Sequence, residues 1–485
     1  MDFGHLAPAK DIEGLTLLVL AVLGAVTVMC LSVRARDVAL FVIIATLVIN
    51  DRTSINFFSK WWYRGSTRGL EVTLQDILAF SLLVGSVLFP RKGRPRWGWP
   101  AGLGPMLLFF LFACGATCAI QPRIFSVFEL SKIARGLMFF VVFALVVRSE
   151  RELGICVAAL CLAVVFEGGL VLRQRFLYAM DRVAGSLDHP NSLSMYLCMV
   201  SPVLAAALNS ALPRFVRWAC AVALASAALS SMLTVSRAGV PTFALVVFGA
   251  TAWTMSWRIT PKKVVVFGLV AAGVAGMGAK FWGDLKARFE DSSLAEEYED
   301  LHTVDSRGYY LRLARLIVED RFFGVGLNNW SYAVSKKYGA MLKTPYADYD
   351  EIPDDLNNDE DMVLEFAAPA HNLGALTAGE LGVPGLILFV VVWIRWFQMG
   401  LSFLWRRRRT TMHLLGTGIC FGVLGIFLQS ITEWVFRQTA IFLTFHALIG
   451  ILASLYAARR QARLEKGRQR QAPAVAGSLA LVPGG

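Results

Sequence analysis

His371 and Asn372 stand where a long polar stretch gives way to an apolar run, and Glu380 and the Gly382-Val383-Pro384-Gly385 break follow within that run. A neutral imidazole near pH 7 is well matched to taking a proton from a sugar hydroxyl, because its ordinary pKa lies close to that pH. A lone histidine is usually structural, but an Asn beside it and a helix opening behind it favour chemistry here. Three arginine-bearing stretches could bind a complementary anion. In the first, Arg182-Val-Ala-Gly185 leads to Asp188-His189-Pro190-Asn191, where the proline restricts His189 to an extended conformation and Asn191 or Ser192 can cap the next helix. By composition alone this stretch also reads as a solvated loop whose arginines snorkel to headgroups. The second, Ser236-Arg237-Ala238-Gly239, lies between two apolar runs with almost no connecting loop. Arg237 is thereby forced to the membrane surface or just below it, where an unpaired arginine costs up to about 2.5–3.5 kcal/mol. Its partner is either a structural carboxylate or a ligand phosphate. In the third, residues 305–317 read as an amphipathic helix stopped by Phe323-Gly324-Val325-Gly326. Arg307, Arg312 and Arg315 are spaced to share part of one face and to present guanidinium forks to phosphate.

The elements that position these residues follow from composition. A 485-residue chain that is 56% hydrophobic and 17% charged, with a mean hydropathy of +0.57, has too much apolar surface for a soluble globule. Stretches long enough to span, or nearly so, run at 15–33, 36–50, 70–89, 101–120, 125–147, 153–172, 191–209, 214–235, 237–257, 263–280, 373–404, 411–431 and 437–458. The fold class is therefore all-α, a polytopic transmembrane bundle of about 12–13 helices with one large, partly helical outer loop. The first run is preceded by Asp11 and Glu13 in place of a basic signal region, so it reads as a retained helix. All eight cysteines fall within apolar runs and imply neither disulfides nor zinc; Cys114 and Cys118, four apart, read as small packing residues.

Charge orients the chain. Basic residues at 34 and 36, 91–96, 148 and 151, 214 and 217, 258–263, 406–409 and beyond 459 occupy alternate connections, which the positive-inside rule makes cytoplasmic. The connections 51–69, 173–190, 281–370 and 432–436 then face outward. Residues 281–370 hold nineteen Asp and Glu against nine Lys and Arg, a reversal of the chain's net +12 that suits an outer loop. The acidic segment 354–361 lacks the glycine and ligand alternation of a calcium loop and reads as a solvated turn. The expected divisions are 1–172 and 173–280 as helical regions, the second carrying the outer arginines, 281–370 as the loop, 371–458 as the last helices, and 459–485 as a basic tail, irregular beyond Arg470.

In order and spacing, Arg182-x-x-Gly185 with Pro190-Asn191, the Ser236-Arg237 junction, Arg307 leading to Gly324-x-Gly326, and His371-Asn372 with Glu380 and Gly382 resemble the O-antigen ligase and O-antigen polymerase superfamily of bacterial inner-membrane glycosyltransferases. Each piece is short; four in the right order around one outer loop are specific, and they cover about residues 170–400. The resemblance implies a metal-independent enzyme without cofactor that acts on undecaprenyl-diphosphate-linked glycans at the periplasmic face of the inner membrane. It places Arg182, Asn191, Arg237, Arg307, Arg312 and Asn372 on the substrate side, the arginines holding diphosphate, and His371 with Glu380 on the catalytic side. The acidic segment and a second histidine, His189, depart from the family's pattern. The implied reaction polymerises repeat units of an O-antigen, capsule or exopolysaccharide; ligation of the glycan to lipid A core or protein uses the same chemistry. A lipid-linked glycan flippase is the reading from another class, but it would line a midplane path with polar groups, and the charges here gather outside. Expected partners are the lipid-linked donor, a glycan or lipid acceptor, membrane lipids and other polysaccharide-assembly proteins, with no nucleic acid.

Overall fold

The computed structural model describes residues 8–60, 62–91, 98–256, 306–344, 346–349, 366–405 and 409–479, with isolated positions at 276, 283 and 286. The expected helix at 263–280, the acidic segment 354–361, the early part of the outer loop and the basic positions 92–96, 258–263 and 406–408 lie outside the described residues. Helices dominate: α1 (Pro8–Leu31), α2 (Val33–Thr46), α3 (Leu74–Leu88), α4 (Leu103–Ala119), α5 (Arg123–Val146), α6 (Glu150–Leu172), α7 (Pro190–Leu208), α8 (Arg214–Leu233), α9 (Gly239–Thr254), α10 (Arg307–Asp320), α11 (Leu373–Leu401), α12 (Thr411–Thr432) and α13 (Thr439–Leu479). Among the described residues seven helices are long and apolar enough to cross a membrane, as a multi-pass membrane protein requires. Helix α5 is not one of the seven, because it carries Glu129, Lys132 and Arg135, and these are held in ion pairs inside the bundle.

Capping chemistry sets several boundaries. Thr73 and Asp76 form a reciprocal capping box that starts α3, and Ser149 with Glu152 does the same for α6. The apolar stretch expected over 70–89 is therefore only partly helix. Its beginning, β2 (Gly69–Thr73), pairs antiparallel with β1 (Ser54–Ser59), the alternation of Leu70 and Val72 with Glu71 and Thr73 suiting a half-buried strand. The 36–50 run likewise leaves α-helix at Thr46 and continues as a tighter 3-10 turn to Thr53. Helix α13 runs on to Leu479, through the stretch expected to be irregular.

Packing brings alternate connections to the same end of the bundle. At one end Arg36 donates to the carbonyl of Phe89, and Ser454 to that of Val147. At the other, the Tyr63 hydroxyl donates to the carbonyl of Asn328, and Arg64 to that of Phe366 at 2.7 Å. Tyr63, Phe125, Phe128, Tyr349 and Phe366 form an aromatic core that fixes the β1–β2 hairpin over the described part of the outer loop. The connections at this second end are those whose charge marked them as outward-facing.

Candidate functional site

Five connections converge at the hairpin end. His371, just before α11, places Nδ1 2.9 Å from Oε2 of Glu433, which ends α12. Since a carboxylate only accepts, Nδ1 carries the hydrogen and Nε2 is left as the basic nitrogen. The His371 side chain is 43% exposed and that of Glu433 only 10%, so the base is reachable while its orienting group is enclosed. The ring of Tyr310 lies 5.6 Å from the imidazole, centroid to centroid.

The second oxygen of Glu433 gathers the substrate-side residues. Asn191 donates to it from Nδ2 at 2.7 Å, and the Arg307 guanidinium lies 3.5 Å away while its Nε donates to the carbonyl of Thr432. Arg182 donates to Oδ1 of Asn191 at 3.2 Å and to the carbonyl of Thr234, which begins the turn containing Arg237. Burial works to raise the Glu433 carboxyl, but the hydrogen bond and charge of His371, the charge of Arg307 and the Asn191 amide together hold it below the usual carboxylate range. His189 caps α7 by accepting the amide hydrogen of Asn191 at Nδ1. Partial burial and then the charge of Arg182 push this imidazole below its ordinary value.

The structure thus brings His371, Arg182, Asn191 and Arg307 around one carboxylate, with Arg237 on the adjoining turn. Asn372 is placed beside them but serves the fold: its Oδ1 caps α11 at Ala375 and its Nδ2 donates to the carbonyl of Ile431. Arg312 and Arg315 are turned around α10 from Arg307. Five residues along a helix is about 140° around it, and Arg315 pairs with Glu319 on the exposed side.

Glu380, expected beside His371, is elsewhere. Nine residues is about half a turn out of phase and roughly 13 Å along the axis. The structure buries it against an interior cavity of about 100 Å³ lined also by Glu129, Thr377 and His446. Its carboxylate takes the backbone N–H groups of Asn328 and Trp330, so it anchors the outer loop to α11. Beside it, Gly324 and Gly382 both adopt positive φ, +77° and +67°. A Cβ at Gly382 would overlap the carbonyl oxygen of Phe322, and one at Gly324 that of Glu380, which explains both the Gly324-x-Gly326 turn and the break in α11.

Glu433 is the site residue that sequence reasoning missed. It lies 62 positions from His371, in a connection of a few residues, and its one local signal is a carboxylate at the end of an apolar run on the outer side.

Comparison with known proteins adds one positive finding. No curated protein matches the chain. Residues 220–390 match the family model described as O-antigen ligase, a segment that holds Arg237, Arg307 and His371 and ends before Glu433. That segment, about a third of this multi-pass membrane protein, is similar to the O-antigen ligase family, in agreement with the resemblance read from the motifs.

Proposed function

We propose that the protein moves a glycan from a polyprenyl-diphosphate-linked donor to the hydroxyl of a second lipid-linked unit. It would thereby polymerise repeat units of an O-antigen, capsule or exopolysaccharide at the periplasmic face of the inner membrane. The observation that carries this reading is the His371–Glu433 pair with Arg307 on the same carboxylate. His371 Nε2 takes the acceptor proton as the hydroxyl oxygen bonds to the anomeric carbon. The bond from that carbon to the diphosphate oxygen breaks, and the electron pair leaves with the lipid diphosphate. Glu433 stabilises the imidazolium that forms, and Arg182, Arg237 and Arg307 meet the charge that grows on the leaving group. Glu380 and Asn372 act by positioning.

The description of the matching family, O-antigen ligase, favours a second reading in which the acceptor is lipid A core or a protein. Deleting the gene and examining surface glycan separates the two. Loss of a polymerase leaves single repeats, whereas loss of a ligase leaves full-length chains on the lipid carrier. Unchanged surface glycan would sink both.

A further inference from the structure

We infer that Arg68 and Arg437 form an anion subsite beside the His371–Glu433 pair, which takes the carboxylate or phosphate of an acidic sugar residue in the glycan. This rests on the transfer reading and adds the charge of the substrate to it.

The placement is built from inside the bundle. The Thr67 hydroxyl donates to the buried carboxylate of Glu129, and Glu129 lies 3.4 Å from the Lys132 ammonium. Lys132 in turn donates to the carbonyls of Phe436 and Arg437 at 2.6 and 3.1 Å. One turn of α5 therefore clamps the loop before β2 to the 433–438 turn, and the residue after Thr67 and the second of the clamped carbonyls belong to two arginines. Neither makes an ion pair among the described residues. Crowding by neighbouring atoms and then the positive charge of Arg437 both weigh against the charge on Arg68; Asp188 attracts it only from beyond ion-pairing distance.

Holding two guanidinium groups together has a Coulomb cost that a bridging oxyanion would reverse. The surroundings suit a sugar more than a bare phosphate. Tyr349 lies near Arg68 with Trp62 5.7 Å from it, and the Arg437 guanidinium sits 5.8 Å over the ring of Trp434. Tyr349 and Trp434 are themselves buried and form the floor, and the half-buried ring of Trp62 is the one left for a sugar to lie against. Arg437 follows Glu433 by four residues, at most about 14 Å of chain, so an anion there belongs to a sugar close to the reacting bond.

The test uses the full chain in lipid nanodiscs without donor. Trigalacturonate, mannose 6-phosphate, maltotriose and inorganic diphosphate are each titrated calorimetrically. At least one acidic sugar should bind roughly tenfold or more tightly than maltotriose, and which one does so identifies the oxyanion. The preference should vanish in Arg68→Gln and Arg437→Gln, survive partly in Arg68→Lys, and persist in His371→Ala. Both arginines lie at the surface, so unchanged melting temperatures should accompany these losses. No preference for acidic sugars, or a preference unmoved in both Gln variants, overturns the inference. So does diphosphate binding that disappears in those variants while the acidic sugars fail to bind, since the pair would then belong to the lipid carrier. Nothing in this measurement requires turnover, so a negative result in the deletion strain would remove the transfer reading alone.

Discussion

The two ends of the bundle hold arginines in opposite ways. At the end opposite the hairpin, Arg91 bridges Asp37 and Glu152 at 2.5 and 2.6 Å, Arg151 takes the other oxygen of Asp37, and Arg36 donates to the carbonyls of Met29 and Phe89. At the hairpin end, Arg307 and His371 share the carboxylate of Glu433, Arg182 donates to the Asn191 amide oxygen and the Thr234 carbonyl, and Arg68 and Arg437 sit near one another. Where carboxylates match arginines the charge is structural. Among the described residues, the hairpin end instead sets several cationic groups around one enclosed carboxylate, an arrangement suited to an arriving anion.

The largest effect should come from the hairpin end. His371→Ala should lower transfer of labelled glycan from a lipid-linked donor by about 10²–10⁴-fold while donor binding persists. Glu433→Gln should follow at about 10²-fold, because the amide no longer fixes the tautomer or stabilises the imidazolium. The carboxyl of Glu433 is depressed in the fold, so its contribution to stability is present above its unfolded value and is lost as pH falls through the lower folded one. Thermal melts of Glu433→Gln should therefore lose less than the parent between pH 5 and pH 3. If Glu433→Gln turned over normally, the assignment of this end to catalysis would not stand.

At the opposite end the expected effect is on stability. Arg91→Gln leaves the enclosed Asp37 and Glu152 short of a partner and should cost about 3 kcal/mol, read as a lower denaturation midpoint. Turnover per folded molecule should be unchanged. A stable Arg91→Gln protein that had lost transfer would erase the distinction between the ends.

The smallest effect sharpens the boundary of the site. His189 has a depressed folded pKa, so the unfolded chain takes up the proton first and stability falls as pH drops below its ordinary value near 6.5. Asn is an equally good helix cap and does not titrate, so His189→Asn should lose a few tenths of a kcal/mol less than the parent between pH 7.5 and 5.5. If the variant instead abolished transfer, the base would be His189.

Much of this was legible from hydropathy and charge parity. The helices announce themselves as apolar runs, and the arginine and histidine motifs fall in the outward connections that parity assigns. The hairpin was hidden because a five-residue strand merges with the helix behind it into one apolar stretch. Glu433 was hidden because its partner is distant in sequence, and pairing across 62 residues leaves no local pattern. Glu380 lies apart from the expected place. The resemblance put it on the catalytic side with His371, whereas nine helical residues carry a side chain to the far face.

The seam of Gly324 and Gly382 has a kinetic meaning. It welds the helix bearing Arg307 to the helix that follows His371, with Val325 and Gly326 donating backbone hydrogen bonds to the carbonyls of Gly379 and Glu380. The arm that would grip the leaving group and the base that would receive the acceptor proton therefore cannot drift apart. Their relative orientation is fixed when the chain folds, so little of the substrate's binding energy goes into arranging them and more is left for the transition state. A side chain at either glycine would break that weld and slow the reaction without touching a single reacting group.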